Sequence, residues 1–82
     1  MSTMLLPAAY LREGDVLPLP VTDVTGTVDY MKFHGREVTV GLVHPSLQGD
    51  GTEVTTFVTY RRTDWLDVAG PNNAHRRAAL AG

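Results

Sequence analysis

The residues of this 82-residue sequence best suited to metal binding or proton transfer are its three histidines, His34, His44 and His75. Ligands of one ion must converge to within about 2–2.6 Å of it. The pattern places His34 at a hairpin turn and His44 at the far end of the following strand. At ~3.3 Å per residue over about eight residues, they stand more than ~20 Å apart and cannot share an ion within one chain. His75 lies in the tail, and no spacing ties it to either, so no metal and no other cofactor is expected. Acid–base chemistry needs carboxylates with perturbed surroundings, and Asp64 and Asp67, flanking Trp65, come nearest. Asp64 stands just before a short element, where capping is its expected work. There is no cysteine, the serines are Ser2 and Ser46 alone, and no glycine-rich loop precedes a helix to cradle phosphate. The sequence predicts a protein that is not an enzyme.

Binding chemistry is better represented. Tyr60, Arg61, Arg62 and Trp65, with Lys32, Phe33, His34 and Arg36 near the hairpin turn, combine bases with aromatics as single-stranded nucleic acid requires. Charge opposes that use. The formal net charge is -2, and because Arg76 and Arg77 lie in a tail without acids, five bases face nine acids in the rest of the chain. A nucleic-acid surface normally carries a surplus of Lys and Arg to displace counterions. Nucleic acid, held by Arg61, Arg62, Lys32 and Arg36, is therefore the alternative partner rather than the expected one. Tyr60 and Trp65 read more simply as core residues, and Arg61 as a cross-strand partner of Glu37.

These side chains are positioned by β-strands. Val24, Gly26, Val28 and Tyr30 alternate with polar residues, as do Val38, Val40 and Leu42, and a period of two means strands. Residues directly opposite in an antiparallel pair share a face, so register can be tested. A two-residue loop of His34 and Gly35 would set Val40 against Asp29 and Val38 against Met31, splitting the apolar set. A three-residue loop of Phe33, His34 and Gly35 instead pairs Tyr30 with Val38, Val28 with Val40 and Gly26 with Leu42, with Gly35 at the left-handed position. That register is the expectation, with Val28, Tyr30, Val38, Val40 and Val58 on the inner face. Residues 52–60 form the next strand, with Val54, Val58 and Tyr60 inward, Leu42 near Thr56 and Val40 near Val58.

Around this hairpin pair the chain is punctuated. Residues 8–11 suffice for one helical turn, and Gly14 and Asp15 read as a turn. Residues 16–21 place Leu17, Leu19 and Val21 on one face and Pro18 and Pro20 on the other, which makes an edge strand or an extended segment. Residues 45–51 form a loop long enough to be mobile, and residues 65–68 a short last strand or a helical turn entering one. Gly70 and Pro71 end a β-domain of residues 1–70. In the tail of residues 71–82, Asn72 or Asn73 caps a short helix over 74–81 that is stable only if it docks.

Leu11, Arg12, Glu13, Gly14, Asp15 and Val16, followed by Gly26, Thr27 and Val28, resemble the opening of SH3-like barrels of the KOW type, in which Gly-Asp precedes the first strand. The resemblance covers under a quarter of the chain and implies an all-β fold, a small five-stranded SH3-like barrel. KOW modules bind RNA or protein partners of the transcription and translation machinery, and usually carry basic residues and a further glycine in the first loop. Here that stretch is Pro18, Leu19, Pro20, Val21, Thr22 and Asp23, so the resemblance brings the fold and no functional residues. The acidic aromatic motif by which eukaryotic SH3 domains hold polyproline is also missing.

The register leaves one anomaly on the outer face. With Gly41 beside Phe57 and Val43 beside Thr55, Phe57 stands over a glycine among threonines, and Phe57, Val43 and Met31 form a candidate protein-contact patch. The competing reading has the N-terminal segment or Leu80 of the tail covering Phe57 within the molecule. The expected function is a non-catalytic binding module acting through protein contacts, by self-association or as an adaptor or assembly protein. No isoleucine and one lysine against six arginines suit a GC-rich source, where a phage virion or host-interaction protein would also fit. Without a long apolar run or cysteines, a cytoplasmic protein without membrane contact is expected.

Overall fold

The computed structural model describes residues 3–20 and 22–81. These form β1 (Met4–Pro7), a 3-10 turn (Ala8–Tyr10), β2 (Val16–Pro18), β3 (Thr25–His34), β4 (Glu37–Pro45), β5 (Glu53–Arg61), β6 (Trp65–Val68) and α1 (Asn72–Ala81). β2, β3, β4 and β5 make one antiparallel sheet in that order, and β1 pairs with β6 in a second. Among the described residues there are thus six strands, not five: the helical turn expected over residues 8–11 is present as the 3-10 turn, and β1, just before it, is the strand that was not expected. A Val16–Ala69 bridge joins the two sheets at one corner. At the other, Ala8 and Ala9 donate to the carbonyls of Asp64 and Arg62. Among the described residues no ladder joins β1 to β5, so the sheet is bent but not closed.

The β4–β5 ladder has the expected register, with Val40 opposite Val58, Leu42 opposite Thr56 and Gly41 opposite Phe57. The β3–β4 ladder does not. Its turn is the two-residue Gly35–Arg36, His34 faces Glu37, and Phe33, Met31 and Val28 lie opposite Val38, Val40 and Leu42. Val28 and Met31 are three residues apart, so both can face inward only if one residue is extra. Asp29 is that residue, in a bulge between Val28 and Tyr30. The bulge turns Met31 inward against the core and carries Tyr30 to the outer face, 43% exposed, against the expected inward placement.

The core is small and almost wholly aliphatic: Ala8, Leu11, Leu17, Leu19, Val28, Val38, Val40, Leu42 and Val68, with Leu6, Val24, Val58, Tyr60 and Leu66 packed around it. β2 is an edge strand with Pro18 and Pro20 exposed and Leu17 and Leu19 inward; Val21 lies outside the described residues. Trp65 pairs with Pro7 and stays exposed rather than entering the core, and Val54 is also exposed at the sheet margin. Loop 45–51 is tied internally: Ser46 donates to the Thr52 carbonyl, Gly49 to the Ser46 carbonyl, and Thr52 to Asp50 from both backbone and hydroxyl.

The tail docks. The Arg76 guanidinium meets the fully buried Asp15 carboxylate through two bonds of 2.8 and 2.7 Å, and the same carboxylate accepts from the Arg12 backbone at 2.7 Å and from Asn72 at 3.1 Å. Neither asparagine caps α1 with its side chain. Asn72 donates to the Glu13 carbonyl and Asp15, and buried Asn73 donates to the Val68 carbonyl. Burial pushes the Asp15 carboxyl up, but the hydrogen bonds from Arg76, the Arg12 backbone and Asn72, with the Arg76 charge, outweigh it and hold the group below its ordinary value.

A carboxylate lowered on folding stabilises the protein above its unfolded pKa of about 4, and that contribution is lost as pH falls through the lower folded value. Arg76→Met leaves Asp15 buried without its cation and should cost about 3 kcal/mol near neutrality. In urea titrations the gap from the parent should narrow steadily below about pH 4; a constant gap would contradict the ion-pair account. Asp50, also lowered, chiefly by its bonds from Thr52, is common to both proteins and cancels. At the hairpin tip, Gly35 has φ +59° and nothing within 4 Å of where a Cβ would stand. Gly35→Val should therefore lose roughly 1–2 kcal/mol through backbone strain alone, and Gly35→Asn clearly less.

Candidate interaction surface

The outer face of the four-stranded sheet is ordered in rows by its register. Thr27, Val43 and Thr55 form one row; Tyr30, Gly41 and Phe57 the next; then Lys32, Thr39 and Thr59; then His34, Glu37 and Arg61 at the tip. Threonine dominates because a β-branched polar side chain suits an exposed pleated surface. The second row departs from that pattern. Gly41 provides a floor, the Phe57 ring lies over it, and Tyr30 meets Phe57 edge to face with centroids 5.7 Å apart at 85°. Such a pair is attractive beyond its buried area. Phe57 nevertheless remains 61% exposed.

Of the expected patch, Phe57 and half-buried Val43 share this face, and Met31 does not, because the bulge sends it to the core side. Tyr30 takes the place assigned to Met31. The sequence carried one signal for this, the odd spacing of Val28 and Met31, which is incompatible with unbroken alternation if both are core residues. Among the described residues neither proposed intramolecular cover operates. β1 is engaged with β6, α1 is held at Asp15 and the Tyr10 carbonyl, and Leu80 is itself 81% exposed.

The basic residues named for nucleic acid are brought only partly together. Arg62 donates from Nε to the Gly35 carbonyl at 2.8 Å and lies 4.5 Å from the Phe33 ring centroid, where it braces the turn. Arg36 and Arg61 line the groove beside it together with Glu37. Lys32 belongs to the outer face, opposite Thr39. Tyr60 turns inward, its hydroxyl pushed up by burial and by the nearby Asp64 charge, while Trp65 belongs to the other sheet. Tyr60 and Trp65 are therefore not joined in one stacking platform, and Phe33 is taken up by Arg62.

The histidines have local partners. His34 Nε2 bonds Thr39, which bonds Thr59 in turn, forming a polar chain across three strands. Buried His44 bonds the Pro45 carbonyl through Nδ1 and the Thr56 hydroxyl through Nε2; a neutral ring making both contacts carries its hydrogen on Nδ1. Asp64 accepts from the Arg61 backbone three residues before it, so it closes the turn between β5 and β6 rather than capping the element that follows, which is a strand. Among the described residues no group of three or more His, Asp or Glu is placed to hold a metal ion. A separate apolar groove of about 350 Å³ lies between Met4, Leu6, Tyr10, Ala79 and Leu80, and Arg76 at its margin is already committed to Asp15.

Comparison with protein-family models, with curated proteins and with solved structures finds no match. The surface geometry itself is testable. A methyl at Gly41 would stand 3.0 Å from Tyr30 Cβ and 3.1 Å from Phe57 Cε1. Gly41→Ala should displace the Phe57 ring, abolish the mutual ring-current shifts in the aromatic proton spectrum, and cost about 1–3 kcal/mol.

Proposed function

We propose that the chain is a non-catalytic binding module that acts through protein contacts on the outer sheet face, centred on Phe57 and Tyr30. One observation carries this reading: an edge-to-face aromatic pair, set on a glycine floor, is left exposed on a face otherwise built mainly of threonine and charged residues. Aromatic side chains that stand rigidly at the surface are the usual anchors of protein interfaces, because they bury much area at little entropic cost. The acidic balance and the commitment of Arg62 to the turn weigh against phosphate as the target.

The architecture we assign to the module is a small SH3-like barrel, left open between β1 and β5. Its support is the Gly14-Asp15 entry to β2, the Val16–Ala69 bridge and the bonds from the 3-10 turn to the end of β5. Such a scaffold fits an adaptor or assembly role, in which a rigid sheet presents a few anchoring side chains.

Phe57→Asp should leave the far-ultraviolet dichroism and urea midpoint nearly unchanged, since the ring is exposed. It should also abolish capture of protein partners by the immobilised domain from nuclease-treated source-cell extract. Capture that depends on intact nucleic acid, and is lost on reversing Lys32 and Arg36 rather than Phe57, would overturn the reading in favour of a nucleic-acid partner.

A further inference from the structure

The two margins of the four-stranded sheet are unlike. β2 presents Pro18, which cannot donate to an added strand, and is bridged to Ala69. β5 is a nine-residue strand, EVTTFVTYR, without proline, lysine or a bulge in its ladder, and it pairs with β4 on one side only.

The phase of its free side follows from the bonds that close the β4–β5 ladder at each end. Ser46 donates to the Thr52 carbonyl, and Arg62 to the Arg36 carbonyl. Even-numbered residues of β5 therefore direct their backbone groups to β4, and Glu53, Thr55, Phe57, Thr59 and Arg61 direct theirs to the open margin. At Arg61 the turn already takes them up, because its N–H donates to the Asp64 carboxylate and its carbonyl accepts from the Asp64 N–H. Among the described residues nothing pairs with the N–H and C=O groups of Glu53, Thr55, Phe57 and Thr59.

We infer that the occupant of this margin is a second copy of the same chain, paired antiparallel through β5 about a two-fold axis at Phe57, so that two four-stranded sheets become one of eight strands. The inference rests on the protein-contact reading above and names the partner.

What selects a second copy is charge complementarity. In the register centred on Phe57, Glu53 of each copy lies opposite Arg61 of the other, placing the two charged ends of the strand against opposite charges twice over. Thr55 then faces Thr59 on the outer face, and on the inner face Val54 faces Tyr60 while Thr56 faces Val58. The Phe57 rings meet at the axis, which an isologous contact requires to be self-complementary. The same pairing covers the inward-facing side chains that the monomer leaves open, namely Val54, 40% exposed, and Thr56. Charged ends here do not guard the strand against pairing; they set its register.

Size-exclusion chromatography with light scattering, from about 5 to 500 µM, tests this. The parent should approach twice the 8.9 kDa chain mass as concentration rises. Thr55→Pro removes an N–H that β4 does not use, so the fold should survive by circular dichroism while the dimer dissociation constant rises at least about tenfold. Glu53→Arg should weaken the dimer by placing like charges opposite, Arg61→Glu should do the same, and Glu53→Arg with Arg61→Glu should restore it. A parent that stays monomeric throughout would overturn the second copy as occupant, while loss of partner capture by Phe57→Asp would leave the protein-contact reading standing. A dimer indifferent to Thr55→Pro, or one that the double reversal fails to restore, would overturn the β5 geometry.

Discussion

The fold depends on one buried carboxylate. Asp15 sits at the entry to β2 with no solvent exposure, and four hydrogen bonds converge on it from the Arg12 backbone, Asn72 and both terminal nitrogens of Arg76. Arg76 extends the network to the Tyr10 carbonyl and Asn73, and Asn73 to the Val68 carbonyl. A single ion pair thus ties the 3-10 turn, the start of β2, the end of β6 and α1. Burying two charges is costly, and a pair of this kind can be no more stabilising than apolar residues of the same shape. Its stronger effect is directional. A bidentate guanidinium accepts one orientation of its carboxylate, and among the described residues no buried side-chain nitrogen or oxygen lacks a partner. The ion pair therefore fixes where the helix sits.

Such a device suits a domain of this size. With 82 residues and no cysteine, neither a large core nor a disulfide is available to hold the C-terminal segment. The segment could not hold itself, since ten residues rich in alanine and arginine are too few for an isolated helix and too polar to dock by area alone. Because its bonds to Tyr10, Glu13, Asp15 and Val68 hold it there, the helix is spent on the corner where the two sheets meet. The outer face of the four-stranded sheet is left uncovered as a direct result.

How far these features could be read in advance depended on whether their cause was local. Strict alternation runs unbroken through Val38–Val40–Leu42 and Val54–Val58–Tyr60, and the β4–β5 register followed from it pair by pair. In β3 the alternation was misleading: Tyr30 continues the period set by Val24 and Val28, and only the extra Asp29 puts it on the opposite face. A bulge has no propensity signature strong enough to outweigh four matching positions. Gly14 and Asp15 read as a turn and form one, but the identity of the aspartate is explained by Arg76, 61 residues later. Nothing in the local sequence indicated that pairing, since Arg76 lies in a tail whose docking is itself a tertiary event. The aromatic patch was therefore half legible: Phe57 through the register of β5, Tyr30 only through the bulge.

The composition of β5 poses a problem that the monomer alone does not answer. Phe57 is largely exposed and Val54 and Thr56 are partly so, which leaves burial as only part of the reason for a valine or a phenylalanine at these positions. Strand propensity explains the threonines and is indifferent to which face each occupies. It does not explain why the ring stands directly over the one glycine of β4, with Tyr30 turned out by a bulge to meet it. A bulge gives up a regular ladder position, and a glycine inside a strand gives up both packing and backbone entropy. Both losses fall on the same row of the sheet, and together they hold two aromatic rings at its surface. Local stability is given up twice at one place and apolar area is exposed there, and this coincidence is what supports the proposed reading of the row as a contact surface.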